Sequence, residues 1–340
     1  MKLFHRPLAL GIVFASLVPS SPSKADVADF YRGKQMRIVV GSDAGGGYDA
    51  YARTIAAHLG RFVPGNPTFV IQNMPGVGSL LAVNHVTNVA AKDGTTIGAI
   101  NPSAVTAPLF RPDQAKFDAR RLNWLGTPVT IAYTIVAWHT APVQTFEDLF
   151  TTELLVASAG GASRTLPVLT NAILGTKFKV ILGYKSASAS MLAIERGEVQ
   201  GNGGEALTNL KAVHATYLRD KTLRIIGTYA LRPNPELAGV PMVIRFAKTD
   251  QQRAALNLVL SSQDIGWPYV MASDVPADRV QAIRRAFDTT MKDPDFLAEA
   301  AKRKLDISPI QGEEQAALVD QTLATPKNVV ALVKGIVGDQ

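Results

Sequence analysis

The amino-acid sequence predicts an α/β protein with two lobes, each a mostly parallel sheet flanked by helices, and a ligand cleft between them. Short β-branched runs alternate with amphipathic helical segments along residues 36–103. The same strand, turn and helix order returns in residues 127–228. A chain of 340 residues with 47% hydrophobic content is long enough for two sizeable cores.

The N-terminal segment 1–25 has the pattern of a secretory signal peptide. It combines a basic start, an apolar stretch over residues 8–18 and the small residues Ser23 and Ala25, which predict cleavage before Asp26. The apolar stretch is too short to span a membrane, and the alternative is an uncleaved, disordered or membrane-anchoring N-terminus. We therefore expect a mature protein in the periplasm or outside the cell.

Composition excludes several classes of function. The chain contains no cysteine, which excludes a lipoprotein anchor, disulfides and thiol chemistry. The formal charge is +7, and the signal segment carries Lys2, Arg6 and Lys24, so the mature chain has 7 − 3 = +4. That small excess, without a long basic run, predicts no nucleic-acid partner, although it can attract small anions.

The first predicted unit is a strand, a glycine-rich turn and a helix. Residues 36–40 form an apolar β-branched run, and Gly41 and Gly45–Gly47 follow it. A helix with an apolar stripe then begins near Tyr51. Backbone N–H groups of glycines are open to a ligand because no Cβ blocks the approach, and a helix N-terminus adds partial positive charge. We interpret this turn as one jaw of an anion-binding cleft.

Two further strands are predicted over residues 68–72 and 95–100, with a helix over 80–89 between them. They end at the turns 73–79 and 101–103. Because ligands bind at the carboxyl ends of parallel strands, we expect both turns to lie on one rim with the glycine-rich turn.

The remainder of the chain is predicted as a second lobe followed by a helical return. We expect residues 104–125 to be irregular apart from a strand at 122–125, and a helical C-terminal third. Predicted strands are 129–138, 154–157, 178–182 and 223–229; predicted helices are 145–149, 166–174, 187–196, 251–260, 276–291, 293–305 and 313–337, with a break at Pro326. The predicted lobes are 26–126 with 229–340, and 127–228.

The motifs indicate binding rather than catalysis. Gly45–Gly47 with Ala50 fits a weak dinucleotide fingerprint, but residues 66–73 lack the acid that such a site needs. No G-x-S-x-G motif occurs, and the five histidines lack triad-like or ligand-like spacing. We therefore predict no catalytic residues, no metal and no cofactor.

Four motifs occur in a characteristic order: GSDAGGGYDAYAR, QNMPGVGS, AKDGTTIGAINPS and GYKSASASMLAIERGEVQG. In order and spacing the chain resembles the extracytoplasmic binding proteins of tripartite tricarboxylate transporters, the Bug family. The resemblance implies a Venus-flytrap fold of the type II periplasmic binding proteins. It also implies a carboxylate ligand held by backbone amides, hydroxyls and ordered water, transient contact with membrane permease subunits, and a monomer.

Carried over residue by residue, the resemblance predicts a site shared by both lobes. For some members a structural role is the alternative: Ser79 and Ser158 as helix caps, Asp49 in ordering the glycine turn, Tyr48 in interlobe packing and Glu205 at a surface hinge. The predicted ligand-binding residues are Ser42, Ala44, Gly45, Gly46, Gly47, Tyr48, Asp49, Val77, Gly78, Ser79, Asn101 and Ser103 in the first lobe, and Ser158, Gly160, Ser163, Tyr184, Ser186 and Glu205 in the second.

The sequence departs from the family at Ser42-Asp43-Ala44, where prolines are usual, and Asp43 would repel a carboxylate unless it points away. The predicted function is a solute receptor that delivers a small carboxylate to a tripartite permease. The alternative is a sensory protein that presents the same ligand to a membrane kinase. An exported enzyme is a third hypothesis, for which the sequence offers no catalytic set.

Overall fold

The structure is a computed structural model that describes residues 24–338. Most of the predicted signal peptide, residues 1–23, therefore lies outside the described residues. The first helix, α1, runs from Lys24 to Tyr31 and joins the folded body: Val27 and Tyr31 are buried, and the Tyr31 hydroxyl donates to the Gly94 carbonyl oxygen.

Helices and strands alternate through most of the chain. The strands are β1 (Gln35–Val40), β2 (Thr68–Asn73), β3 (Thr96–Ala99), β4 (Asn123–Thr127), β5 (Tyr133–Trp138), β6 (Leu154–Ser158), β7 (Phe178–Leu182), β8 (Gly201–Ala206), β9 (Leu223–Thr228), β10 (Tyr269–Met271) and β11 (Ile310–Gln311). The further helices are α2 (Gly47–Leu59), α3 (Leu80–Asn88), α4 (Pro102–Phe110), α5 (Ala162–Leu174), α6 (Ala187–Glu195), α7 (Leu207–Val213), α8 (Ala215–Arg219), α9 (Asp250–Ile265), α10 (Ala277–Thr290), α11 (Pro294–Lys302), α12 (Gly312–Leu323) and α13 (Lys327–Val337).

The strands form two separate sheets. The first sheet has the order β11-β4-β10-β3-β1-β2 and the second has the order β7-β6-β8-β5-β9. β1 is parallel to β2 and β3, and β6 is parallel to β7 and β8. β10 and β11 run antiparallel to their neighbours in the first sheet, as β5 does in the second.

The predicted α/β architecture with two lobes is confirmed, but the sheets are mixed rather than mostly parallel. The strand–turn–helix units that the sequence showed clearly supply the parallel half of each sheet. The antiparallel half comes from strands that enter by other connections, such as β10, which returns to the first sheet after α9. β10 and β11, with three and two residues, are too short to show a repeating pattern in the sequence, whereas β5 and β9 were predicted as strands but not their antiparallel pairing.

Local sequence explains the regular elements. Ile38, Val39 and Val40 are all fully buried, as expected for a central strand with helices on both faces. α9 begins with a capping box, in which Thr249 and Gln252 satisfy each other's backbone N–H groups.

The expectation of irregular structure in residues 104–125 is wrong over its first part, where α4 runs from Pro102 to Phe110. Asn101 caps this helix by accepting the Ser103 N–H, and Pro102 occupies its first position. The internal Pro108 and the lack of an amphipathic period hid the helix from sequence analysis. α7, α8, β10 and β11 were likewise missed, and α9 extends five residues beyond the predicted end at 260.

Two helices from the C-terminal part of the chain, α9 and α13, pack into the core of the second lobe. Leu256 and Leu258 of α9 and Val333 of α13 belong to the same buried cluster as Ile135 and Leu166 of the second lobe. The predicted lobe boundaries stay a prediction, while these contacts show that the C-terminal part of the chain packs against the core of the second sheet.

Candidate functional site

Loops that follow parallel strands gather at the carboxyl edge of each sheet. Three belong to the first sheet and two to the second, and all five carry predicted site residues. They are the glycine loop (Gly41–Asp49, after β1), the left-handed turn (Gly76–Ser79, after β2), the Asn101 loop (Asn101–Ser103, after β3), the Ser158 loop (Ser158–Ser163, after β6) and the Tyr184 loop (Gly183–Ser186, after β7).

Ser79 joins the three loops of the first sheet. Its hydroxyl donates to the Gly41 carbonyl oxygen at 2.8 Å and accepts from the Asn101 N–H at 3.0 Å. The residue is 2% exposed, and its side chain makes no capping hydrogen bond to α3. Ser79 is therefore neither a simple helix cap nor a donor open to a ligand. Its two hydrogen bonds fix the left-handed turn to the glycine loop and to the Asn101 loop.

The left-handed turn is a rare backbone conformation. Gly76, Val77, Gly78 and Ser79 have φ values of 141°, 47°, 61° and 72°. A β-branched residue such as Val77 seldom adopts positive φ, and such conformations cost about 1–3 kcal/mol each. The side chain of Val77 is nevertheless 46% exposed, so apolar burial does not account for the conformation.

Asp49 orders the glycine loop. One carboxylate oxygen accepts from the Gly45 N–H and from Arg53 Nε, both at 2.8 Å, and the other accepts from Asn73 Nδ2 at 3.0 Å. The hydrogen bond from Arg53, supported by those from Gly45 and Asn73, lowers the pKa of Asp49 to about 2. The carboxylate is only 4% exposed, so this geometry matches the structural role considered for it.

The rest of the glycine loop presents backbone to its surroundings. Asp43 to Gly47 are exposed, whereas Ser42 is half-buried. Gly46 caps α2 at its N-terminus, and a Cβ added there would meet only the Asp43 carbonyl oxygen, at 3.6 Å. Since the Gly45 N–H is held by Asp49, the N–H groups that the loop can offer are those of the exposed Gly46 and Gly47 at the start of α2, while the exposed Asp43 carries its charge on the same surface.

Tyr48 lies against an aromatic residue that the sequence analysis missed. Its ring stacks on Trp267 with centroids 4.2 Å apart, and Tyr51 meets the same indole edge-on at 4.9 Å. The Tyr48 hydroxyl accepts from Asn101 Nδ2 at 2.9 Å, and burial raises its pKa. The nearby Tyr133 of the second sheet also raises that pKa, which places Tyr48 at the junction between the lobes.

The Ser158 loop closes on itself. The hydroxyls of Ser158 and Ser163 lie 3.1 Å apart; Ser158 Oγ accepts from the Gly160 N–H at 3.1 Å, and Ser163 Oγ donates to the Gly160 carbonyl oxygen at 2.8 Å. Both serines are buried. In the Tyr184 loop, the exposed Ser186 caps α6 by accepting the Ala189 N–H, and Tyr184 is half-buried.

Glu205 is a buried carboxylate at the carboxyl end of β8. It is 5% exposed, and its two oxygens accept from Asn202 Nδ2 at 3.0 Å and Asn209 Nδ2 at 2.7 Å. Burial raises the pKa of Glu205, and burial together with the neighbouring Glu205 charge raises the pKa of Tyr133. Two side-chain amides thus take the place of a cationic partner.

A cavity of about 760 Å³ lies between the two lobes. The left-handed turn and the Asn101 loop contribute Val77, Gly78, Asn101 and Ser103, which are predicted site residues. The second lobe contributes Tyr133 and the N-terminus of α5, and α4, α9 and α13 complete the walls. This volume is typical of ligand pockets.

None of the other fourteen predicted residues lines this cavity. The glycine loop adjoins it through the Tyr48–Asn101 hydrogen bond, and Ser79, Ser158 and Ser163 lie in the protein beneath the loops. Tyr184, Ser186 and Glu205 are also outside its lining. The sequence analysis missed the walls formed by α4, α9 and α13, and the only available signal was the apolar character of those segments.

Within residues 24–338 no group of histidine, aspartate and glutamate side chains is arranged to hold a metal ion. Over the same residues, no helix combines the length and apolar character that crossing a membrane requires.

The two sheets, their carboxyl-edge loops and the cavity between them define the class of type II solute-binding proteins. A family model described as the tripartite tricarboxylate transporter family receptor matches residues 52–334. The chain belongs to this family. The family is one of solute receptors, which confirms both the resemblance seen in the sequence and the prediction that the protein is not an enzyme.

Individual proteins show the same likeness. A Cupriavidus necator protein described as "UPF0065 protein in gbd 5'region" is 22% identical over 323 residues, covering 91% of this chain and 90% of that protein. A Polaromonas TctC solute-binding protein, solved without ligand, has a TM-score of 0.69 at 16% identity and covers 90% of this chain and 99% of its own. An R. palustris protein solved with adipate has a TM-score of 0.55 at 17% identity, covering 88% and 97%.

Proposed function

We propose that this protein is an extracytoplasmic receptor that binds a small carboxylate-containing molecule between its lobes and delivers it to the membrane permease of a tripartite tricarboxylate-type transporter. The observation that carries the proposal is the lining of the 760 Å³ cavity, which contains no carboxylate among the described residues. Two cationic side chains, Arg111 and Lys334, line it together with polar groups of Asn101 and Ser103. Such a lining favours an anion.

Family membership and one neighbour support this assignment. The family description names a transporter receptor, and the R. palustris neighbour was solved with a dicarboxylate. The glycine loop borders the cavity, so its exposed N–H groups are available to a carboxylate when the lobes close over the ligand. Closure would exclude water, which strengthens each polar contact, and would provide the conformation that the permease recognises.

Thermal denaturation of the mature protein with a panel of mono-, di- and tricarboxylates tests ligand binding. A ligand with a micromolar Kd corresponds to about −8 kcal/mol, and at a thousandfold excess over Kd it stabilises the protein by about 4 kcal/mol. We expect at least one carboxylate to raise the Tm by several degrees, while uncharged analogues of equal length do not. No response to any carboxylate would contradict the proposal.

Uptake by intact cells tests delivery. Deletion of the gene should abolish uptake of the labelled ligand, and the wild-type gene should restore it. Unchanged uptake together with a lost transcriptional response to the ligand would instead support the sensory alternative.

We also propose that the protein is exported and that its signal peptide is cleaved before Asp26. Cleavage there would retain Val27 and Tyr31, which are buried in the first-lobe core. We expect the intact mass of the periplasmic protein to match a chain that begins at Asp26, and its mass in solution to be that of a monomer. A mature chain that begins after Tyr31 would contradict this cleavage site.

A further inference from the structure

Two of the segments that join the lobes lie side by side. One leads from β4 to β5 and comprises residues 128–132; the other leads from α9 to β10 and comprises residues 266–268. The Trp267 N–H donates to Thr127 Oγ1 at 2.9 Å, where the first segment begins. A Cβ on Gly266 would lie 2.0 Å from the Val129 carbonyl oxygen, so the two backbones are in direct contact. A rotation of one lobe relative to the other therefore moves both segments together.

The side chain of Trp267 extends from this junction onto the glycine loop. Its indole stacks on the Tyr48 ring at 4.2 Å and meets Tyr51 edge-on. A Cβ on Gly47, the first residue of α2, would lie 2.8 Å from Cη2 of the indole. Gly47 does not have the positive φ that favours glycine, so the space taken by the indole is the physical reason for a glycine here. Trp267 thus contacts the start of α2 at three positions.

The contacts of Trp267 continue through Tyr48 to the cavity. The Tyr48 hydroxyl accepts from Asn101 Nδ2 at 2.9 Å, and Asn101 lines the cavity and caps α4. Gly46 and Gly47, whose exposed N–H groups can meet a carboxylate, begin the helix on which the indole packs. Trp267 itself is not among the described residues that line the cavity. The indole therefore supports two parts of the first-lobe rim from outside the cavity.

From these contacts we infer that Trp267 is a positioning residue for ligand binding. It holds the start of α2 and the Asn101 loop in the arrangement that receives a carboxylate, and it connects both to the segments that move when the lobes close. The inference rests on the proposed function, because it names the residue that links lobe movement to the carboxylate-binding edge. A rim that is held in place before the ligand arrives lowers the cost of binding, because less order has to be imposed.

Hydrogen exchange of the mature protein without ligand tests the positioning role directly. In Trp267→Ala, the backbone amides of residues 47–52 and 101–104 should exchange about tenfold faster than in the wild type, because an aromatic ring that packs on α2 is lost. Trp267→Phe, which keeps a stacked ring, should restore most of the protection. The matched control is Trp138→Ala: this half-buried tryptophan of the second lobe packs on Tyr217, and its loss should leave both segments unchanged. Wild-type exchange of both segments in Trp267→Ala would overturn the inference.

Calorimetric titration with succinate, adipate and citrate tests the consequence for binding. For each of these probes that the wild type binds, Trp267→Ala should weaken the affinity about tenfold, and Trp267→Phe should stay within about threefold of the wild type. A side chain with only a structural role would lower the Tm and leave the affinity of the folded protein unchanged, and that result would overturn the inference. If the wild type binds no carboxylate, the proposed function is contradicted, while the exchange measurement still decides the role of Trp267.

A double-mutant cycle at Gly47 extends the test to variants that keep an aromatic ring at position 267. Alanine is a better helix former than glycine, so Gly47→Ala is unfavourable because of the indole and not because of the helix. Gly47→Ala should weaken carboxylate affinity about tenfold in the wild type, but only about threefold in Trp267→Phe, whose side chain is smaller. Equal losses in the two backgrounds would overturn the inference.

Discussion

The carboxyl-edge loops of the two sheets share a sequence pattern but differ in how they are held. In the first sheet, hydrogen bonds join loops that are distant in sequence: Ser79 to Gly41 spans 38 residues, Asn101 to Tyr48 spans 53, and Asn73 to Asp49 spans 24. In the second sheet, the corresponding bonds of Ser158 and Ser186 span no more than five residues. The first sheet thus presents a cross-linked platform, and the second presents loops that close individually.

This difference suggests that the loops of the two sheets have different roles in ligand binding. A platform joined by buried hydrogen bonds can hold a carboxylate with little reorganisation, which reduces the cost of binding. Loops that close locally can move as the lobes approach each other without breaking bonds to their neighbours. Substitutions in the two sets of loops test this difference through their effects on the free energy of unfolding or on ligand affinity. They follow in order from the largest expected effect to the smallest.

The largest effect is expected for Gly41→Ala. A Cβ at this position would lie 2.2 Å from Ser79 Oγ and 2.4 Å from Ser79 Cβ, so the glycine loop and the left-handed turn would have to separate. We expect a loss of about 3 kcal/mol in the free energy of unfolding, measured by urea denaturation. The control is Gly335→Ala on α13, where nothing lies within 4 Å and stability should not fall. A loss below about 1 kcal/mol would show that the platform is not tightly joined.

Ser79→Ala should destabilise the protein by about 2 kcal/mol. The substitution leaves the Gly41 carbonyl and the Asn101 N–H without their buried partner. The second-sheet counterpart, Ser158→Ala, should cost about 1 kcal/mol, because a local loop can readjust. Equal losses in the two variants, measured by the same urea denaturation, would remove the distinction between the sheets.

Gly46→Val tests the glycine loop as part of the ligand site. The added side chain meets only the Asp43 carbonyl oxygen, so the fold should be retained, but its bulk should shield the adjacent N–H groups. We expect carboxylate affinity to fall more than about 10-fold, equivalent to about 1.4 kcal/mol, in calorimetric titration. Ala91→Val, at an exposed position before β3 on the opposite edge of the first sheet, should bind normally. Unchanged affinity in Gly46→Val would exclude the glycine loop from the site.

The smallest effect is the acid sensitivity that Asp49 confers on the platform. Its folded pKa of about 2 lies below the ordinary value of 3.8, so its stabilisation is present above pH 4 and is lost as the pH falls towards 2. The contribution should be about 1 kcal/mol, because Arg53 is half-exposed and its charge is screened by solvent. Asp49→Asn should flatten the dependence of stability on pH in this window, and Asp43→Asn should not. A wild-type slope in Asp49→Asn would assign the acid sensitivity to other groups.

The first-lobe platform shows how far sequence analysis reaches. Apolar runs such as residues 36–40 and 68–72, each followed by glycine or small residues, placed the strands and their carboxyl-edge loops correctly. The roles of individual side chains were beyond its reach: Ser79 was considered as a cap or a ligand contact, whereas its hydroxyl bridges two loops. Bonds between residues 22 or more positions apart leave no local pattern in a sequence.

By itself the sequence determined the α/β class, the family and the edge of the sheet where a site would form, because these follow from hydrophobic periodicity, glycine turns and ordered motifs. Only the tertiary structure decided that the sheets are mixed, that α4 is a helix despite Pro108, and that Trp267 supports Tyr48. It also placed Arg111 on the wall of a cavity whose other walls come from α9 and α13. Those features depend on contacts between distant segments, and the free energy of such packing overrides local propensity.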